Sequence, residues 1–267
     1  MPPPAAAVST YTVLEQRWFA AVLFYTSVPV VILLVAGPPR AIDFWWDFAM
    51  ALGILAASSL ALLPLLSARW WAPQHRATGF LRLIQATHRS LAYLGTALVL
   101  AHVGLLILLE HRVIEYLKLG AVAPMMAGLL GTVLSVFLIV SSLYREAWRW
   151  SYQSWRYWHA GLSVMAIGCI GWHLLGAGYY YDNGGRRVAL LWLLLVPTLT
   201  TWGLRRWPLR SAASAARDPT HLERRRVQRL IGAIALTWLA VSLGFAWSGQ
   251  FQTPAVERPL CAIDPCL

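Results

Sequence analysis

The stretch VAPMMAGLLGTVLSVFLIVSSL, residues 122–143, contains no charged residue. It constrains the chain more than any other feature, because about 20 consecutive apolar residues are what a helix needs to cross the hydrocarbon of a bilayer. Similar runs recur along the sequence. They predict seven spans, at 17–37, 44–66, 86–109, 122–144, 156–178, 188–206 and 228–248. Lipid offers no partner to backbone N–H and C=O groups, so each span is expected to be an α-helix. Composition agrees: of 267 residues, 58% are hydrophobic and 12% charged. That is about half the charge of an ordinary soluble domain, too little to cover a water-facing surface. The expected fold class is all-α, a polytopic transmembrane helix bundle of about seven spans.

The chain divides into an N-terminal tail (1–16), a helical bundle (17–206), a basic loop (207–227), a further span (228–248) and a second tail (249–267). The opening MPPPAAAVST reads as extended or disordered. It lacks a basic n-region, so the first span is expected to be retained. Pro29 and Pro197 are expected to kink the first and sixth spans. No repeat of fixed period stands out.

A formal net charge of +11 raises nucleic acid as a partner, but the distribution of charge argues for a membrane. On one side of the seven-span arrangement fall sixteen of the 22 Lys and Arg residues, including Arg69, Arg89, Arg149, Arg156 and the run Arg224–Arg226. The other side has six. By the positive-inside rule the first side is cytoplasmic, which puts the N-terminus inside and the C-terminus outside. The basic loop then also meets anionic lipid headgroups. Tryptophans near span ends, among them Trp45, Trp46, Trp148 and Trp158, fit the aromatic belt of a membrane protein.

Four histidines lie inside apolar spans. His88 and His102 are in the third, His159 and His173 in the fifth, and each pair is fourteen residues apart. Fourteen helical steps fall about 40° short of four full turns, so both imidazoles of a pair leave nearly the same face, separated by roughly 21 Å along the axis. The two spans run in the same direction. Side by side, they bring His88 level with His159 and His102 level with His173. Each facing pair is the donor set for the two axial positions of a haem iron. Gly95 and Ala166, seven residues after His88 and His159, are small residues at the midpoints, where a flat macrocycle needs the backbone close; Gly161 and Gly168 add room. A lone intramembrane histidine commonly bonds one helix to another, but four in matched pairs are costly in lipid and point to function. Zinc fits poorly, because pairs so far apart cannot share an ion and no Cys or carboxylate completes either.

The segments ATHRSLAYLGTALVLAH and SLYREAWRWSYQSWRYWHAGLS, the latter followed by His173, resemble the ferric reductase-like transmembrane domain. That family includes the membrane parts of NADPH oxidases and ferric reductases and the haem subunit of the bacterial methionine sulfoxide reductase system. The resemblance covers about residues 44–206. It implies a six-helix core, two b-type haems, His88 and His159 on the inner iron, and His102 and His173 on the outer. The further span at 228–248 is additional to that core. The quinol-oxidising cytochrome b family also uses paired H-x13-H helices, so spacing alone leaves it open.

No dinucleotide-binding fingerprint is present, and the glycines of GLLGT and GCIG lie inside spans, where they read as packing. FAD and NAD(P) are therefore not expected on this chain. Electrons are expected from a separate flavoprotein, an iron–sulfur protein or membrane quinol, and to leave for an extracytoplasmic or quinone acceptor, with other subunits present. The remaining class is a non-redox membrane scaffold that keeps a haem fold for interaction.

Near the inner pair, Arg89 and Arg156, with Arg82, are candidates to hold haem carboxylates through the guanidinium fork; positive-inside residues are the alternative. Tyr93 and Trp158 are candidates to pack on a macrocycle. Thr87, Ser90 and Ser163 are candidate acceptors for a ligand N–H. Cys169 reads as a packing residue. Cys261 and Cys266 are expected outside, where a bacterial periplasm would favour a disulfide. The expected location is a bacterial inner membrane.

Overall fold

The structure is a computed structural model that describes residues 5–35, 43–67, 78–118, 120–177, 180–181, 184–206 and 221–249. Seven long helices account for nearly all of them: α1 (Ala5–Val35), α2 (Phe44–Ser67), α3 (Thr78–Leu109), α4 (Ala123–Leu143), α5 (Tyr152–Gly176), α6 (Gly184–Arg206) and α7 (His221–Gly249). Six have the length and hydropathy to cross a membrane, over Gln16–Val35, Phe44–Ser67, Leu83–Leu109, Ala123–Leu143, Tyr152–Gly176 and Arg225–Gly249. α6 has the length as well. Its apolar middle lies between Arg186 and Arg187 at one end and Arg205 and Arg206 at the other.

Several boundaries differ from expectation, and α3, α5 and α6 all begin before the expected starts of their spans. α1 begins at Ala5, so the part of the tail after the prolines is helical; Ala5–Ala7 are the strongest helix formers available. α7 begins at His221, inside the expected basic loop. Between α3 and α4 the chain forms a 3₁₀ segment, His111–Leu117, whose start is capped by Glu110 accepting the Arg112 N–H at 3.3 Å. α1 and α6 continue through Pro29 and Pro197.

Local signals explain the other helix ends. The Asp43 side chain accepts the Trp46 N–H at 2.9 Å and starts α2. Pro124 sits in the first turn of α4, where a missing N–H costs nothing. Ser151 accepts the Ser154 N–H at 3.1 Å and starts α5. Between α4 and α5 the chain turns through Arg149 at φ 55°. The Trp150 N–H closes back on the Arg145 carbonyl at 3.1 Å, the closure of a helix end on a left-handed residue.

α2 is the central helix. In its span window 72% of residues are buried, against 17% for α3 and for α5. It packs on α1, α3, α5, α6 and α7. Its buried small residues, Ala49, Ala51, Ala56, Ala57, Ser58, Ser59 and Ala61, let neighbouring backbones come close, which is how helices gain contact where lipid removes the hydrophobic drive. Ser58 and Ser59 satisfy their hydroxyls on the Ile54 and Ala56 carbonyls of the same helix. Polar links tie the outer helices together: Trp238 Nε1 of α7 donates to Thr26 Oγ1 of α1 at 3.1 Å, and the Tyr25 hydroxyl of α1 donates to the Leu193 carbonyl of α6. The bundle is arranged around two antiparallel hairpins, α2–α3 and α4–α5, the two most extensively packed helix pairs. Each hairpin carries one histidine helix.

Candidate functional site

His102 of α3 and His173 of α5 line one cavity. Its walls come from both hairpins, from Val113, Tyr116 and Leu117 of the 3₁₀ segment, and from Tyr180 and Tyr181 after α5. The polypeptide between the two helical hairpins therefore forms one end of the site.

Each of the two imidazoles is fixed by a backbone group of the other helix in its own hairpin. His102 Nδ1 lies 2.8 Å from the Ala49 carbonyl of α2, and His173 Nδ1 lies 3.0 Å from the Pro124 carbonyl of α4. A carbonyl only accepts, so Nδ1 carries the proton and Nε2 keeps the lone pair. That tautomer leaves Nε2 ready to bind a metal, and the second hydrogen bond sets the ring's orientation. His88 is held likewise, with Nδ1 3.0 Å from the Leu63 carbonyl. His159 packs against the ring of Trp155, centroids 4.8 Å apart, and its own carbonyl accepts the Ser163 hydroxyl at 2.6 Å.

The structure thus brings the expected outer pair to a common cavity. His88 and His159 sit one H-x13-H step away along the same two helices. Among the described residues, no three His, Cys, Asp or Glu side chains converge on one point. Two imidazoles facing a cavity suit a group that brings its own equatorial donors, as haem does. Two buried donors near them point the same way. Trp46 Nε1 and the Tyr181 hydroxyl belong to cavity-lining residues and have no hydrogen-bond partner among the described residues. A buried donor left unpaired is costly, and an acceptor on a bound group would relieve both. Burial pushes the Tyr181 phenol well above its usual range, so it remains a neutral donor. On these grounds the residues present fit a haem at the outer pair.

The neighbours of the small residues differ from expectation. A Cβ on Gly95 would meet Ser59 Oγ at 2.6 Å and Leu60 Cδ2 at 3.2 Å. Its missing side chain therefore makes room for α2. Ala166 is 4% exposed, and its carbonyl lies beside Gly131 of α4, so it too sits on a helix seam. Gly161 and Gly168 have open space where a Cβ would point. They follow His159 by two and nine residues, about 200° and 180° around the helix, which turns them away from the ligand face.

Arg89 and Arg156 are exposed, next to the ends of the inner pair; the side chain of Arg82 lies outside the described residues. Tyr93 and Trp158 are exposed. The Thr87 hydroxyl bonds the Leu83 carbonyl of its own helix at 2.8 Å. For His88, His102 and His173 the acceptors are thus main-chain carbonyls rather than the hydroxyls expected. Cys169 is a free, half-buried thiol of α5. Cys261 and Cys266 lie outside the described residues.

Sequence reading also missed a buried carboxylate beside the site. Asp47 of α2 is 2% exposed, and one of its oxygens accepts the Tyr180 hydroxyl at 2.5 Å. The bond ties the segment after α5 to the start of α2, at the cavity wall. Leaving a buried acceptor without its donor costs about 1–3 kcal/mol. Tyr180→Phe is therefore expected to lower the stability of the purified protein by that amount in a chemical unfolding titration; an unchanged midpoint would show that the bond carries no load.

With this geometry in place, the family comparison can be stated. Residues 20–170 match the family model of the ferric reductase like transmembrane component. The match spans more than half of the chain and includes His88, His102 and His159; it ends just before His173. The chain belongs to this family, and with its apolar helices it is an integral membrane protein. Domains of this family generally bind haem. Searches of the curated proteins and of the solved structures return no match.

Proposed function

We propose that the chain is a dihaem b-type cytochrome that carries electrons across the membrane as one part of a redox complex. His102 and His173 hold the outer haem and His88 and His159 the inner one. Haem supplies a one-electron ferric–ferrous couple at each site. This chain's own residues set where those couples sit. α3 and α5 carry the four imidazoles, and backbone carbonyls of α2 and α4 orient three of them. Trp46 and Tyr181 offer donors to the outer group, and Arg89 and Arg156 meet the carboxylates of the inner one. The apolar faces of α3, α4 and α5 keep water from the path between the sites.

The observation that carries this proposal is the outer pair, two imidazoles on one cavity, each with Nδ1 on a main-chain carbonyl and Nε2 left to coordinate. The sixteen-to-six charge asymmetry supports a cytoplasmic N-terminus. The donor is then a separate flavoprotein, an iron–sulfur protein or quinol, and the acceptor is outside or a quinone.

The test is a dithionite-reduced minus oxidised spectrum of the purified protein, with pyridine haemochrome stoichiometry. Two b-type haems per chain are expected. No haem from cells well supplied with it would overturn the redox function and leave a membrane scaffold. Reduction by quinol in isolated membranes, or only after a partner is added, then separates the two kinds of donor.

A further inference from the structure

The two outer histidines are seated in the same way, and the seat includes a residue that coordinates nothing. The carbonyl held by His102 is Ala49, and four residues on in α2 is Gly53. The carbonyl held by His173 is Pro124, and four residues on in α4 is Gly128. In a helix the N–H of residue i+4 points at the carbonyl of residue i. The glycine therefore lies directly over the carbonyl that the imidazole must reach. A Cβ on Gly53 would stand 2.8 Å from His102 Nδ1, and a Cβ on Gly128 would stand 2.7 Å from His173 Nδ1. Real Cβ contacts do not come that close. Either the ring or the helix would have to move.

At the inner end of the bundle, the corresponding positions of α2 and α4 carry no glycine. Fourteen residues after Ala49, Leu63 holds His88, but the residue four further on is Ser67, the last of α2. Fourteen after Pro124, Leu138 accepts the hydroxyls of Ser142 at 2.6 Å and Ser141 at 3.1 Å. Among the described residues the carbonyl–glycine–imidazole arrangement is thus seen at the two outer ligands, once in each hairpin.

We propose that Gly53 and Gly128 are positioning residues for the outer iron: their missing side chains let His102 and His173 lie against the neighbouring helix and give Nδ1–H to Ala49 and Pro124. This inference rests on the haem assignment above. A hydrogen bond from Nδ1 to a carbonyl makes Nε2 a stronger donor to the metal, and electron donation favours the ferric state. Two such bonds on one iron hold the outer potential down.

The test uses the full chain, loaded with haem, as wild type, Gly53→Ala, Gly128→Ala and Gly131→Ala. The last is the control. Gly131 is on the same seam of α4, and a Cβ there would press on Ile170 Cγ1 at 2.9 Å, a packing contact with no imidazole in it. Each sample is titrated potentiometrically, with the outer haem assigned as the one lost in His102→Ala. Gly53→Ala and Gly128→Ala are each expected to raise the outer midpoint by about tenfold in the ferric-to-ferrous ratio, ~59 mV for one electron. The inner midpoint is expected to hold, and Gly131→Ala to leave both where they are. Loss of the outer haem alone in the first two variants would also support the seat. Equal shifts in all three variants, or two haems with unmoved midpoints throughout, would overturn it. A wild type without haem would instead overturn the function on which it rests. Should both alanine chains fail to fold, the bond is read in wild type by ¹⁵N ENDOR. A protonated Nδ1 on both outer histidines is expected, and an unprotonated one on either overturns the seat.

Discussion

His102→Ala is expected to halve the haem of the purified protein, from two per chain to about one, and to stop electrons at the inner site. On the dihaem proposal His102 supplies one of the two imidazoles that hold the outer iron, and among the described residues no cluster of three His, Cys, Asp or Glu offers another metal site. The remaining spectrum should be that of the inner haem, still reducible from the cytoplasmic side. His88→Ala should give the complementary loss, and the double variant no haem at all. His111→Ala is the natural comparison. That histidine is exposed in the 3₁₀ segment, and its removal should leave both haems in place. Retention of two haems in His102→Ala would remove it from the ligand set.

The second large effect concerns the scaffold. Leu55 is fully buried in α2, whereas Leu236 on α7 is 69% exposed. Truncating a buried leucine removes its contacts and leaves a cavity, at a cost of about 2–5 kcal/mol. Truncating one that faces lipid only trades one apolar neighbour for another, within about 0.5 kcal/mol. Leu55→Ala is expected to lose roughly 3 kcal/mol of stability in denaturing-detergent titration, and Leu236→Ala to match wild type. Equal losses would mean that α2 is not the helix on which the bundle depends.

Much of this architecture is legible in the sequence, because lipid leaves the chain so few choices. A long apolar run must be helical, so six of the seven helices are marked by hydropathy itself. The matched histidines are legible for a related reason: helical geometry converts H-x13-H into two imidazoles on one face. What escapes is whatever depends on which helix lies beside which. The acceptors for Nδ1 are main-chain carbonyls of Ala49, Leu63 and Pro124, and every residue has a carbonyl, so no letter marks them. Gly53, Gly95 and Gly128 look alike as letters. In the fold, Gly95 admits α2 while the other two admit an imidazole. Gly128 belongs to GLLGT, which by sequence reads as packing; the distance to His173 is what distinguishes it. The same blindness hid Asp47, whose partner Tyr180 is far away in the chain. Helix ends failed for a different reason. Hydropathy marks where lipid stops and not where hydrogen bonding stops, so α1 and α7 both extend beyond their apolar windows.

The burial of α2 also bears on how such a chain is made. Ile54 and Leu55 share one core with Ile234, Trp238 and Phe245 of α7, and Phe48 and Leu52 meet Ala246. α2 thus finds some of its permanent neighbours only in α7, a helix synthesised well after it. Until α7 is inserted, one flank of α2 faces lipid or the insertion machinery. The central helix is threaded well before its own enclosure is complete.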